Sequence, residues 1–326
     1  MIDWSKFVEI VRAHRRFLLV CHVRPDCDAL GSELAMARIL EHLGKDALLV
    51  NDFRVPPTLR FLDSQGKVRQ LGVDVPAERL ADREVIIVLD TSAWLQLGKM
   101  ADVLRVSAAV KVVIDHHASA DDLGATLCKD VEADATGRLV AEAADALGVP
   151  IAPQIAEPLF AALATDTGWF RFATARAESF RLAARLVDAG AAPDRLFRQL
   201  YEADSIGRLR LIGRTLARTM TELDGRLIHT WIEQADFQAT GALPTDTEDI
   251  INMTLAVGGT QMAFILVELA SGALKLSLRS RCDVDCARLA EQFGGGGHRR
   301  AAGATLPGPL AEAQAKVLAA VRAAMR

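Results

Sequence analysis

One imidazole and two carboxylates fall within a single short turn near the start of the chain: His22, Asp26 and Asp28. The turn comes after an apolar run over residues 17–21 that reads as a short buried strand, and it closes into a helical pattern over 30–43. Pro25 excludes helix before the turn closes, and Gly31 allows close backbone approach. Three such groups crowded together are electrostatically poor unless a cation joins them, so the stretch reads as a metal site. The alternative is a solvated strand-to-helix loop capped by aspartate. The remaining chain must decide between the two.

Further ligands need elements to position them, and the chain supplies these in order. An opening helix is expected over residues 3–16, and a second strand over 47–50 that ends at Asn51 and Asp52. Residues 53–81 read as irregular, interrupted by Pro56, Pro57 and Pro76, with a short helix near Leu59. Residues 85–89 form an uninterrupted apolar run of the kind buried on both faces of a parallel sheet, and the run ends in Asp90. Residues 111–114 repeat the pattern and end in Asp115, His116 and His117. Helices are expected over 136–147 and 153–164, the second running into Thr165, Asp166, Thr167 and Gly168.

Strands alternating with helices imply an α/β domain with a mostly parallel sheet, and ligands gather beyond the carboxyl ends of such strands. Three strand ends thus aim His or Asp at one edge, and Asp166 joins them from a helix end. Singly, each residue has an ordinary reading as a cap or a turn. Together they indicate one metal centre.

Composition narrows the class. The 326 residues suggest two domains, and 51% hydrophobic with 25% charged residues is the profile of a soluble globular protein. A formal charge of −4 argues against gripping long duplex nucleic acid, while leaving mononucleotides and very short oligonucleotides open. The first residues lack the features of a signal peptide, and no apolar run is long enough to span a bilayer. Five cysteines form no recognisable framework, and Cys282 and Cys286 have no second pair to complete a zinc site. Reduced thiols and a cytoplasmic location are therefore expected, with no membrane partner. The oligomeric state stays open, a homodimer included.

The second half reads as successive helices over 176–222, broken near Gly190, Pro193 and Gly207. We expect a first domain over 1–193, a helical connector over 194–223 and a second domain over 224–326. Strands are expected over 227–232, 263–269 and 274–279, with Ser271 and Gly272 forming a hairpin turn. Alternation in the last puts Lys275, Ser277 and Arg279 on one face. Four consecutive glycines, 294–297, then precede His298, Arg299 and Arg300. Such a run exposes backbone N–H groups suited to phosphate or carboxylate, although glycine runs are often only flexible loops.

These motifs resemble the DHH phosphoesterase superfamily: His22 to Asp28, Leu89-Asp90, Asp115-His116-His117 and Thr165-Asp166, in that order. The resemblance implies two divalent cations, usually Mn²⁺. His22, Asp26 and Asp90 would hold one; Asp28, Asp90, His116 and Asp166 would hold the other, with Asp90 bridging. Oxygen-rich ligands plus imidazole suit Mn²⁺ on chemical grounds. A hydroxide bridging two such ions would attack phosphorus in line. His117 would contact the scissile phosphate or the leaving oxygen, and Asp115 would orient a ligand histidine. Cys27 stands where most relatives carry glycine. A required positive φ there would cost about 1 kcal/mol or more. A small buried residue turned away from the metals is the simpler reading.

The glycine run resembles the DHH-associated C-terminal domain, a smaller α/β substrate-binding domain. That likeness assigns Arg279 and His298 to the substrate's phosphate or terminal nucleotide, with Gly295, Gly296 and Gly297 lining the pocket. Arg281, Arg299 and Arg300 would add positive charge or belong to the solvated surface. Length and domain pairing are similar to the stand-alone NrnA-type branch, which implies cleavage of very short RNA, of dinucleotides such as pApA, or of 3′-phosphoadenosine 5′-phosphate. Only 5% of residues are aromatic, which argues against a long base-stacking platform.

Other readings are a phosphodiesterase of cyclic or linear dinucleotides, and an inorganic pyrophosphatase, which would lack the glycine run. A catalytically silent nucleotide sensor predicts a lost ligand, yet His22, Asp26, Asp28, Asp90, His116, His117 and Asp166 are all present.

Overall fold

The apolar runs become strands of a six-stranded sheet in which every pairing is parallel. The structure, a computed structural model, describes residues 2–326. These residues divide into two units, the first ending at Glu202 and the second spanning Ala203–Arg326.

The first unit opens with α1 (Ser5–Ala13), β1 (Arg16–Val20), α2 (Cys27–His42) and β2 (Asp46–Asn51). Then come β3 (Val68–Gln70), β4 (Val85–Leu89), α3 (Met100–Val106), β5 (Val110–Asp115) and β6 (Thr126–Lys129). It closes with α4 (Thr136–Leu147), α5 (Pro153–Asp166), α6 (Ala177–Asp188) and α7 (Pro193–Tyr201). The strand order is β3-β2-β1-β4-β5-β6, that of an open, doubly wound sheet.

Helices cover both faces. Phe17, Leu19, Val85 and Ile87 pack toward α1, α2, α4 and α5; Leu18, Val20, Ile86 and Val88 pack toward α3. This two-sided burial explains why β4 shows no alternation in sequence: all five of its residues are buried. The edge strands β3 and β6 lay hidden in the sequence because each is short and only partly buried. Gly31 seats α2 against α5, where a Cβ would overlap the Pro158 carbonyl.

The second unit contains α8 (Ile206–Ala217), β7 (Met220–Glu222), β8 (Leu227–Ile232), α9 (Gln234–Thr240) and α10 (Ile250–Thr254). It continues through β9 (Met262–Glu268), β10 (Leu274–Ser280), α11 (Cys286–Glu291), β11 (Gly296–His298), β12 (Ala301–Leu306) and α12 (Leu310–Ala324). Its sheet runs β11-β12-β10-β9-β8-β7, antiparallel except where β8 pairs with β9.

Strand β10 alternates as expected, with Leu274, Leu276 and Leu278 inward and Lys275 outward. Strand β8 is buried at every position except Trp231. Helical layers lie on both faces of this sheet, with Leu227 packed toward α11 and α12 and Ile232 toward α8 and α10.

Among the described residues no helix is long and apolar enough to cross a membrane.

Candidate metal centre

The strand order reverses between β1 and β4, and ligands of open parallel sheets bind outside the strand ends at such a point. His22, Asp26 and Asp28 come after β1, and Asp90 comes after β4. His116 and His117 come after β5, and Asp166 is the last residue of α5.

His22 and His116 are each held in one orientation. His22 donates from Nδ1 to the Val23 carbonyl at 3.0 Å, and His116 donates from Nδ1 to the Ala133 carbonyl at 3.1 Å. Each ring therefore turns Nε2 toward the carboxylates. His22 Nε2 stands 3.4 Å from Asp90 Oδ2 and 3.8 Å from Asp26 Oδ2. His116 Nε2 stands 3.5 Å from Asp90 Oδ1, 3.6 Å from Asp166 Oδ2 and 3.8 Å from Asp28 Oδ2. Most of these separations are long for hydrogen bonds and suit neighbouring ligands of one cation. Asp90 offers one oxygen to each histidine, so His22, Asp26 and Asp90 form one group and Asp28, His116 and Asp166 another.

The carboxylates are fixed from behind. Asp28 accepts backbone N–H groups from Thr136 at 2.7 Å and Gly137 at 2.9 Å, where α4 begins, and the Ser32 hydroxyl at 3.2 Å. The Thr136 hydroxyl donates to Asp90 Oδ1 at 2.8 Å. Asp26 caps α2 by accepting from Ala29 N at 3.0 Å. Asp90 itself has φ +60, a left-handed conformation that costs about 1–3 kcal/mol and that a functional site tolerates when its surroundings enforce it.

Electrostatics supply the test of fit. Burial raises Asp28 well above the usual carboxylate range, and Asp90, Asp166 and Asp26 add to the shift. Burial likewise lifts Asp166 to about 6, helped by Asp90 and Asp26. Burial alone would lower His22, yet the carboxylates of Asp26 and Asp90 override it and raise the ring to about 11. Carboxylates that resist ionisation and imidazoles that hold protons mark a site short of positive charge. No lysine or arginine side chain pairs with Asp26, Asp28, Asp90 or Asp166 among the described residues. The donor set fits a divalent cation bound through oxygen and imidazole nitrogen.

Asp115 stands apart from His22 and His116. The sequence suggests a place behind one of them; instead its Oδ1 accepts from His117 Nδ1 at 2.8 Å and from His117 N at 3.0 Å. Its other oxygen accepts from Lys129 Nζ at 2.9 Å and Ser92 Oγ at 2.7 Å. Burial opposes ionisation of Asp115, but the bonds from His117, Lys129 and Ser92 hold it well below the ordinary range. The bond to Asp115 raises the His117 pKa in turn, and half of that side chain stays exposed.

Sequence reading missed Lys129, Thr136 and Gly137. Thr136 and Gly137 open a helix already expected at 136, whose free N–H groups favour an anion, so a signal existed. Lys129 lies on the unforeseen strand β6 and offered none.

Cys27 is the first residue of α2, is 6% exposed and has no positive φ. Burial pushes its thiol up to about 12.

In the second unit Lys275, Ser277, Arg279, Gly295 and Gly303 line one concave surface. Gly295 is required by packing, since a Cβ would overlap the Gly303 carbonyl. Gly296, Gly297 and His298 form the exposed edge strand β11. Arg281 turns away to donate to the Leu255 carbonyl at 2.6 Å.

Two family models match the chain: the DHH family N-terminal domain over residues 16–163 and the DHHA1 domain over residues 226–326. The bifunctional oligoribonuclease and PAP phosphatase NrnA of Thermus thermophilus is 33% identical over 98% of this chain and 94% of its own length. The NrnA of Bacillus subtilis, with the same description, is 24% identical over 93% of each chain. An exopolyphosphatase-related protein from Bacteroides fragilis superimposes with a TM-score of 0.89 at 25% identity, covering 99% of this chain and 96% of its own.

Proposed function

The chain belongs to the DHH phosphoesterase family, a family of divalent-metal-dependent hydrolases, and from that premise we propose that it cleaves very short RNA and dephosphorylates 3′-phosphoadenosine 5′-phosphate. The observation that carries the reading is Asp90, whose two oxygens face two separate His and carboxylate groups.

We assign two Mn²⁺ ions to those groups: one to His22, Asp26 and Asp90, the other to Asp28, Asp90, His116 and Asp166. Such ions supply Lewis acidity toward a phosphoryl oxygen and a nucleophilic water at neutral pH.

The chain's own residues do the rest. Val23 and Ala133 fix the imidazoles, and the start of α4 fixes Asp28, so the ligand set is organised before substrate arrives. His117 has its Nδ1–H held by Asp115, which raises its pKa and so favours a proton on Nε2. That proton is offered to a phosphoryl oxygen or to the leaving oxygen. Lys129 and Ser92 position Asp115. In the second unit Arg279 supplies a fixed positive charge for a substrate phosphate, with Gly295 to His298 beside it. The reading is supported by the NrnA enzymes, whose descriptions name both activities and which match nearly the whole chain.

The test is a time course with Mn²⁺ on three substrates: 3′-phosphoadenosine 5′-phosphate, pApA, and a five-nucleotide RNA labelled at its 5′ end. Release of mononucleotides from the RNA and phosphate from the first substrate is expected. Cleavage of pApA alone moves the enzyme to dinucleotide turnover, and no turnover with any divalent metal overturns the reading.

A further inference from the structure

The metal ligand Asp166 leads directly into an unusual turn. Gly168, Trp169 and Phe170 all have positive φ, at +58, +58 and +62. Two consecutive bulky residues in that region are strained, and strain of this kind persists only where the surroundings enforce it. The enforcement is aromatic. Trp169 packs edge-on against Phe160, Phe197 and Tyr201, with ring centroids 6.1, 5.0 and 5.6 Å apart.

The anchored turn holds the residues after it in place. Phe170 lies against Phe180 at 5.2 Å and 32°, and the Phe172 ring rests on Gly168. Phe172 is 54% exposed and Phe180 55% exposed, large values for phenylalanine beside a polar centre. Arg171, next to Phe172 in sequence, donates from Nε to the Gly168 carbonyl at 2.7 Å. It forms no ion pair among the described residues. Exposed aromatic faces with an unpaired guanidinium are the combination that binds a nucleotide: the ring takes the base and the cation takes the phosphate. A purely apolar ligand would share the ring contact but give no reason for the arginine.

We propose that Phe172, carried on the 166–170 turn, is a base-stacking subsite for one nucleotide of an oligonucleotide whose phosphate lies at the metal centre, with Arg171 on the neighbouring phosphate. This rests on the oligonucleotide reading above. It also refines the expectation drawn from the low aromatic content: several of the few aromatic residues are concentrated beside a metal ligand, so a short platform exists where a long one does not.

The test uses the full-length enzyme with Mn²⁺ and a trinucleotide, pApApA, together with three analogues lacking one base each. In the wild type, removal of the base at one position lowers kcat/KM about tenfold or more, chiefly through KM, while removal elsewhere matters less. Phe172→Ala abolishes that contrast between the complete and abasic substrates, and Phe172→Trp restores it. A wild type indifferent to every missing base overturns the stacking subsite and leaves the oligoribonuclease reading standing. The same holds if Phe172→Ala lowers turnover of all four substrates equally, which marks a structural ring. Failure of the wild type to cleave any of the four overturns both.

Discussion

The His and Asp cluster of the first unit and the glycine-rich edge of the second handle charge in opposite ways. In the first, Asp28, Asp90 and Asp115 are almost wholly buried, each is held by hydrogen bonds from behind, and the histidines are fixed through Nδ1. In the second, Gly296, Gly297, His298, Arg299 and Arg300 are exposed, and among the described residues their one ion pair is Arg299 to Asp283 at 3.7 Å. Chemistry on phosphorus requires ligands placed to within a fraction of an ångström, which is obtained by burial and a supporting layer of hydrogen bonds. Capture of a charged substrate requires only donors of the right sign within reach, and these lose little by staying solvated.

Asp90→Ala puts this division under the greatest stress. It should abolish turnover of every substrate, by at least about a thousandfold, because one residue serves both ligand groups. Metal content measured after dialysis should fall alongside activity. Retention of bound Mn²⁺ at the wild-type ratio would show that Asp90 is dispensable to the centre.

Lys129→Met comes next. It removes one of three partners from a buried carboxylate, so a loss of about 2 kcal/mol of stability is expected. The raised pKa of His117 depends on Asp115, so the pH–rate profile should shift as well. A stability loss with an unmoved profile would confine Lys129 to folding.

Arg279→Ala should raise KM on nucleotide substrates about tenfold and change a generic phosphodiester such as bis-p-nitrophenyl phosphate little. Equal losses on both would erase the separation of chemistry from capture.

The mildest change concerns the first unit alone. Glu33 is fully buried beneath the metal turn, accepting from Asn51 Nδ2 at 2.8 Å, and Oε1 has no partner. Burial raises its carboxyl to about 8. The folded state therefore binds a proton that the unfolded chain has released above about 4.3. Stability from this group is complete below that value and is lost as pH rises through about 8. Thermal denaturation of Glu33→Gln should show a shallower decline between pH 5 and 8 than the wild type. Parallel curves would place the ionisation elsewhere.

Much of this protein was written locally. Each of β1, β4 and β5 is an apolar run ending at once in His or Asp, and parallel strands necessarily bring their carboxyl ends to one edge. From that, His22, Asp26, Asp28, Asp90 and His116 could be grouped, and Asp166 joined them from the end of a helix. The helices that cover the sheet were legible by period, and α5 was expected only two residues short of its observed end.

What the sequence could not carry is every relation between distant residues that no period encodes. Asp28 is held by Thr136 and Gly137, more than a hundred positions away, and Asp115 holds His117 rather than a ligand histidine. Lys129 reaches Asp115 only because β6 pairs with β5. Composition counted few aromatic residues, while the fold of α5, α6 and α7 gathered several of them around Trp169 and Phe170, in the turn that follows Asp166 in sequence. Residue types and element ends determined which side chains gather, since that follows from local chemistry and the geometry of a parallel sheet. Orientation, tautomer and neighbouring surface were decided by tertiary packing, because only there do distant side chains acquire distances to one another.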